Sequence, residues 1–307
     1  MNGIQDKKTL PEAMQMPKIV ELLGKFQITD GGATESRLTG VRFFKDTQPV
    51  PRRPMLYNPG ICIVAQGHKI GYLGGHTFRY DADNYLVTSV AMPFECETFA
   101  SQDDPLLGLY IDIDMAQLHD LIGQMALQEE VGKLGENDFP LGIGPSTMDE
   151  DMRDAVIKLL KALWTETEAK ILAPGLVREI YYRALRGTQA PVLYSLARGN
   201  GSFAQVGRTI KMMQSNYSKK LEIEDLATTA NMSVSAFHKA FKEITCDSPL
   251  QYLKKIRLSR ARDLIVQQKA KAYMAASEVG YESPSQFSRE FKRYFGHSPA
   301  DLMREVR

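Results

Sequence analysis

From residue 60 to residue 99 the chain runs in short apolar or alternating stretches cut by turns: ICIVAQG, KIGYLGG, HTFRYDAD, NYLVTSVAMP and FECETFAS, with PLLGLYIDID following at 105–114. Runs of this length, rich in Ile, Val, Tyr and Phe and punctuated by Gly, Asp, Asn and Pro, predict the strands of a sandwich or small barrel. Upstream, one helix is expected around residues 10–23, then a Gly/Thr/Ser-rich passage, TDGGATESRLTG. Pro49, Pro51, Pro54 and Pro59 exclude helix there, because proline lacks the amide donor and clashes with the preceding turn. After Asp114 the period shifts to three and four residues in MAQLHDLIGQMALQ, MDEDMRDAVIKLLKALWTETE and PGLVREIYYRALRG. Met152, Val156, Leu159, Leu160 and Leu163 form the stripe of an amphipathic helix, and Pro174 suits a first helical turn. RGTQAPVLYSLARGNGS then loosens into Gly, Asn and Ser and reads as a junction, with a boundary near residues 199–202.

Beyond the junction the pattern is helical throughout. Ser248-Pro249 places an N-cap serine before a first-turn proline, and LQYLKKIRLSRARDLI continues without Gly or Pro, which predicts one long helix. On either side of that helix the chain repeats itself: SVSAFHKAFKEITCDSP at 233–249 and SPSQFSREFKRYFGHSP at 283–299. Phe237 and Phe241 lie four apart, as do Phe287 and Phe291, so each pair shares one helical face and anchors it in a small core. The residues between them point outward, His238, Lys239 and Lys242 in one copy and Ser288, Arg289 and Lys292 in the other. A short helix precedes each copy, so each unit is a helix, a turn and a capped second helix with a basic outer face, the plan of a helix-turn-helix. Two copies are too few for a stacked solenoid.

Composition supports this division. The chain has 307 residues, 43% hydrophobic and 24% charged, which suggests two ordinary globular domains. The N-terminal residues carry no apolar h-region, and no run approaches the roughly 18 apolar residues of a membrane helix, so a cytoplasmic protein with no membrane partner is expected. Cys62, Cys96 and Cys246 are odd in number and far apart, which argues against a disulfide framework and a cysteine zinc site. The net charge of +1 conceals an asymmetry: residues 208–307 hold 18 basic and 11 acidic residues, leaving 20 basic and 26 acidic in residues 1–207. A basic C-terminal part fits a polyanionic partner.

IEDLATTANMSVSAFHKAFKEIT, SPLQYLKKIRLSRARDLI and SEVGYESPSQFSREFKRYFGHSP resemble the DNA-binding domain of AraC/XylS-family bacterial transcription regulators. YNPGICIVAQGHKIGYLGG, FRYDADNYLVTSVAMP, PLLGLYIDID and LAPGLVREIYYRALRG resemble the AraC-type N-terminal regulatory domain of one subgroup. The resemblance implies an α+β chain: an N-terminal cupin-like β-barrel with following helices over 1–200, and an all-α C-terminal domain over 208–307. The latter would hold two helix-turn-helix units, about 225–246 and 272–295, joined by a long helix. It further implies double-stranded DNA as partner, both recognition helices entering successive major-groove segments roughly 34 Å apart. A small-molecule effector, homodimerisation, and RNA polymerase contact if the protein is an activator are also implied. Carried over by position, the DNA-binding residues are Ser235, His238, Lys239 and Lys242 in the first unit and Ser285, Ser288, Arg289 and Lys292 in the second. Arg289 suits a bidentate contact to guanine, while Lys242 and Lys292 suit phosphate, so the second unit is expected to discriminate more. One position departs from the pattern: where many members end the first recognition helix on glycine, this chain has Cys246, and the second copy keeps Gly296. Either the first helix ends differently or its end is strained.

Two rival readings concern the N-terminal half. A metal-dependent cupin enzyme fused to a DNA-binding domain would need an H-x-H and further ligands, but His68 and His76 are eight residues apart. No catalytic residue, metal site or cofactor is therefore assigned. The other rival is a DNA-binding dimer with no effector at all. Cys62 and Cys96 read as small buried residues, and Arg178 and Glu179 as members of ordinary helix-surface ion pairs.

Overall fold

The computed structural model describes residues 16–125, 140–198 and 201–305. Helix α1 (Met16–Leu23) precedes nine strands: β1 (Gly32–Glu35), β2 (Val41–Asp46), β3 (Val50–Tyr57), β4 (Gly60–Gln66), β5 (His68–Leu73), β6 (His76–Tyr80), β7 (Asn84–Thr88), β8 (Met92–Phe99) and β9 (Leu106–Asp112). Helix α2 (Met115–Met125) and strand β10 (Ile143–Thr147) follow, then helices α3 (Glu150–Ala162), α4 (Glu166–Ile171), α5 (Ala173–Ala184), α6 (Ala190–Arg198) and α7 (Gly201–Ser215). The remaining helices are α8 (Ile223–Thr229), α9 (Val234–Thr245), α10 (Pro249–Gln268), α11 (Ala272–Glu278), α12 (Pro284–Phe295) and α13 (Pro299–Glu305).

The strands form two sheets, one ordered β1-β2-β9-β4-β7-β10 and the other β3-β8-β5-β6. The expected barrel is thus a pair of facing sheets whose strands do not close into one hydrogen-bonded ring. Strand β3 shows one physical reason. Among the described residues it pairs on one side only, with β8, and it carries Pro51 and Pro54, whose missing N–H groups suit an edge and oppose a further neighbour. In the larger sheet the central strand β4 is apolar on both faces. Ile61, Ile63 and Ala65 pack with α1, α3 and α5 in one core, while Cys62 and Val64 join a second core between the sheets.

That second core does not stop at the β part. It continues through Phe203, Val206 and Ile210 of α7 into Leu226 of α8, Phe237, Phe241 and Ile244 of α9, and Tyr252 and Ile256 of α10. Polar contacts cross the same boundary as well: the Tyr252 hydroxyl donates to the Ala91 carbonyl at 2.8 Å, and the Gly142 amide donates to the Ile244 carbonyl at 3.0 Å. The second helix-turn-helix has its own smaller core, built from Leu258, Ala261 and Ile265 of α10 with Ala275, Val279, Phe287 and Phe291.

Several elements differ from the sequence reading. Strands β1, β2, β3 and β10 lie outside the expected strand region, and the stretch read as one helix from Met148 is two, α3 and α4. Thr165 divides them: its backbone is extended and its hydroxyl accepts from the Glu168 amide at 3.3 Å, so it starts a new helix. The junction passage also contains α6, with Pro191 in its first turn and Leu193, Tyr194 and Ala197 buried. Parts of two expected helices, residues 10–15 and 126–128, lie outside the described residues.

The two cores make separable expectations. Phe241→Ala and Phe291→Ala each remove a fully buried ring, at a cost of about 3–5 kcal/mol. Trp164, packed edge-on against Phe26 at 5.6 Å, reports on the N-terminal half. In urea, Phe241→Ala is expected to shift the Trp164 fluorescence transition strongly and Phe291→Ala only weakly. Equal shifts would mean that the second unit unfolds together with the rest.

Candidate nucleic-acid interface

Each recognition helix starts on a serine. The Ser233 hydroxyl accepts from the Ala236 amide at 3.3 Å, and the Ser283 hydroxyl accepts from the Gln286 amide at 3.3 Å, each satisfying a first-turn donor. Behind the exposed faces sit matched aromatic pairs. Phe237 and Phe241 have ring centroids 5.4 Å apart, and so do Phe287 and Phe291. The shared spacing found in the sequence is thus a shared mount for the two helices.

The eight residues assigned from the sequence lie on α9 and α12 at matching spacing. Ser235, His238, Lys239 and Lys242 follow the i, i+3, i+4, i+7 interval on α9, and Ser285, Ser288, Arg289 and Lys292 follow it on α12. Each set therefore forms one stripe along its helix. All are exposed except His238, which is half-buried with its ring edge-on to Phe237. On α12 the neighbouring Glu290 is drawn away from solvent and ties the helix to its surroundings. Burial works against its charge, but hydrogen bonds from Tyr281, Gln286 and Lys254 hold its carboxyl below the usual glutamate range.

The two units differ in their turns. From the left-handed residue to the N-cap, the first turn runs Asn231 to Ser233 and the second Gly280 to Ser283, one residue longer. Gly280 has φ of 83° and sits so close to the Ser218 carbonyl that a Cβ would lie 2.2 Å from its oxygen, so glycine is required twice over. The helix ends match. Cys246 takes φ of 60° and Gly296 φ of 85°, and each amide donates to the carbonyl four residues back at 2.8 Å. The first helix therefore ends as the second does, and Cys246 bears the left-handed strain that Gly296 avoids.

Cys246 also makes a contact that no local pattern announces. Gly74 and Gly75, with φ of 55° and 86°, form the two-residue turn between β5 and β6, as expected of a type I′ hairpin. A Cβ on Gly74 would lie 2.4 Å from the Cys246 sulfur, whereas one on Gly75 would meet nothing within 4 Å. Beside this contact, Lys239 and Lys242 line a cavity of about 520 Å³ with His76 and Leu141. Two of the assigned DNA-facing side chains thus share a cleft with the β hairpin. Around the other side of the turn, Arg293 of α12 and Lys255 of α10 line a cleft of about 490 Å³ with Tyr72 and His76. The sequence reading missed both the hairpin contact and Arg293, because the juxtaposition joins segments more than 160 residues apart.

The remaining candidates have ordinary surroundings. His68 stacks on Phe99 at 4.5 Å, and among the described residues no group of three His, Cys, Asp or Glu side chains is placed to hold a metal ion. Cys62 and Cys96 are buried, and burial pushes the Cys62 thiol up to about 12 and raises that of Cys96. Arg178 pairs with Asp120 at 2.9 Å, and Glu179 with Lys158 at 3.2 Å. Among the described residues no helix is long and apolar enough to cross a membrane.

Comparison with known proteins agrees with this geometry. The lactose operon transcription activator of Staphylococcus xylosus is 21% identical over 78% of this chain and 81% of its own length. The Msm operon regulatory protein of Streptococcus mutans is 31% identical over 34% of this chain and 37% of its own length, so the chain spans between about a third and four-fifths of these relatives. Among solved structures, unsaturated fatty acid bound ToxT from Vibrio cholerae has the same fold, with TM-score 0.55 and 12% identity over 90% of this chain and 97% of that one. Residues 226–305 match the helix-turn-helix domain model. Residues 37–192, half of the chain, match the model of the AraC-type transcriptional regulator N-terminus, and the chain belongs to that family of DNA-binding transcription regulators.

Proposed function

We propose that residues 208–307 bind double-stranded DNA sequence-specifically through α9 and α12, and that residues 1–200 form a non-enzymatic regulatory part that takes a small effector. Ser235, His238, Lys239, Ser285, Ser288 and Arg289 face bases, while Lys242 and Lys292 hold phosphates. The observation that carries this reading is the pair of matched, exposed stripes on identically mounted helices. The effector reading is supported by a cavity of about 330 Å³ between the two sheets, walled in part by Phe44, Met55, Leu56, Tyr57 and Tyr110. That size lies at the lower end of small-molecule sites. The ToxT structure of the same fold was solved with an unsaturated fatty acid bound. Action in the cytoplasm, as a homodimer and, if the protein is an activator, with RNA polymerase, completes the proposal.

Regulation follows from the hairpin contact. With Gly74 against Cys246 and His76 beside Lys239 and Lys242, the docked hairpin stands where DNA would approach the C-terminal half of α9. We propose that DNA binding displaces it.

In gel-shift titrations on a fragment selected from genomic DNA, Arg289→Ala is expected to cost about 1–3 kcal/mol and to relax preference at one base pair. Lys292→Ala should weaken all sequences alike and lower the salt slope by about one. If both variants lose affinity equally on selected and random DNA, the assigned roles are wrong. For the hairpin, Gly74→Ala and Gly75→Ala each put alanine at positive φ, but only the first collides with Cys246. Gly74→Ala is expected to raise the DNA affinity of the effector-free chain about fivefold or more relative to Gly75→Ala. Equal affinities would remove the hairpin from the regulatory scheme.

A further inference from the structure

Lys69 lies on β5 with only 9% of its surface exposed, and it lines the 330 Å³ cavity between the sheets. Its ammonium makes no hydrogen bond or ion pair among the described residues. It lies over the Phe44 ring, with the nitrogen 5.6 Å from the centroid, and Asp46 of the same cavity acts on it at longer range. A buried ammonium with no carboxylate in contact is costly, and an apolar side chain of equal length would fill the same space without that cost. Asp46 answers part of that charge from a distance, and the contact itself is left for a group the protein does not supply.

The other charges around the cavity define that group. Arg42 is neutralised by its ion pair with Asp112. Arg53 stands exposed at the rim, and Asp46 is half-buried; among the described residues its carboxyl makes no hydrogen bond or contact ion pair, and Lys69 and Arg53 act on it at longer range. Lys69 and Arg53 against Asp46 leave a surplus of one positive charge. The walls are otherwise mainly apolar and aromatic. Phe44, Met55 and Leu56 line one part, and Tyr57 and Tyr110 meet edge-on at 5.7 Å. Cys62 adds a neutral thiol, since burial pushes it up to about 12.

We infer that this cavity binds a monoanionic organic acid, its carboxylate on the Lys69 ammonium and its apolar body against the aromatic walls. The inference rests on the reading of the cavity as the effector site and names the chemical class that the site takes. The volume suits a body of roughly ten to fifteen non-hydrogen atoms.

The test uses the full chain and pairs of probes of equal shape: phenylacetate, cinnamate and octanoate, each against its uncharged primary amide, followed by thermal shift and calorimetry. At least one acid is expected to bind saturably and at least tenfold tighter than its amide, the difference expected of one charge-assisted hydrogen bond in a buried site. Lys69→Met keeps the length and removes the charge. It should bring acid and amide to within about threefold of each other, while Lys69→Arg keeps the preference. Because Lys69 makes no hydrogen bond or contact ion pair among the described residues, the ligand-free Lys69→Met chain is expected to melt at or above the temperature of the unmodified chain. Three results would overturn the inference: no acid binding at millimolar concentration, an amide binding as tightly as its acid, or a Lys69→Met chain that melts several degrees lower. If an acid binds through Lys69 but DNA affinity does not change, the regulatory reading fails and the ligand assignment stands.

Discussion

The structure depends on a single apolar continuum that begins between two β sheets and ends under a DNA-recognition helix. Phe237 and Phe241 have no separate small core to themselves. They share one with Val64, Tyr80 and Met92 of the β part, bridged by α7. Burial of this kind is the main stabilising term for any domain, so the first helix-turn-helix takes part of its stability from the regulatory half. The Tyr252 hydroxyl, fully buried, fixes the register of this contact by donating to the Ala91 carbonyl.

Helix α10 makes the two DNA-binding units unequal. Its Tyr252, Leu253 and Ile256 belong to the shared core, and its Leu258, Leu264 and Ile265 belong to the separate core of the second unit. A helix that buries successive faces in two cores acts as a strut between them. The first recognition helix is consequently held by the β part, and the second is held by α10 and by the Lys254–Glu290 pair.

Local patterns in the sequence revealed what local physics determines. The helix-turn-helix units, their serine caps, the phenylalanine mounts and the long α10 all follow from spacing within a few turns of helix. Strands β1, β2 and β10 were not legible, because GATE, VRFFKD and IGPST lack a long apolar alternation and are held by pairing with distant partners. In β3 the prolines excluded helix correctly, but they did not announce an edge strand. The eight positions proposed to face DNA are assigned from periodicity and resemblance, and the structure sets them at matching spacing on α9 and α12. The Gly74 contact with Cys246, and the burial of Lys69 in the cavity, could not be read that way, since both depend on which segments the tertiary fold brings together. The departure at Cys246 was visible as a missing glycine. Its explanation, a left-handed cysteine seated on a glycine turn, lies in that same tertiary contact.

Strand β5 joins two places that otherwise look unrelated. Lys69 stands near its start, and the Gly74 turn that rests on Cys246 closes its end, five residues and about 17 Å further along an extended backbone. A strand hydrogen-bonded on both sides, here by β6 and β8, bends little along its length. It is therefore a short rigid lever, with a buried charge near one end and the flank of a recognition helix at the other.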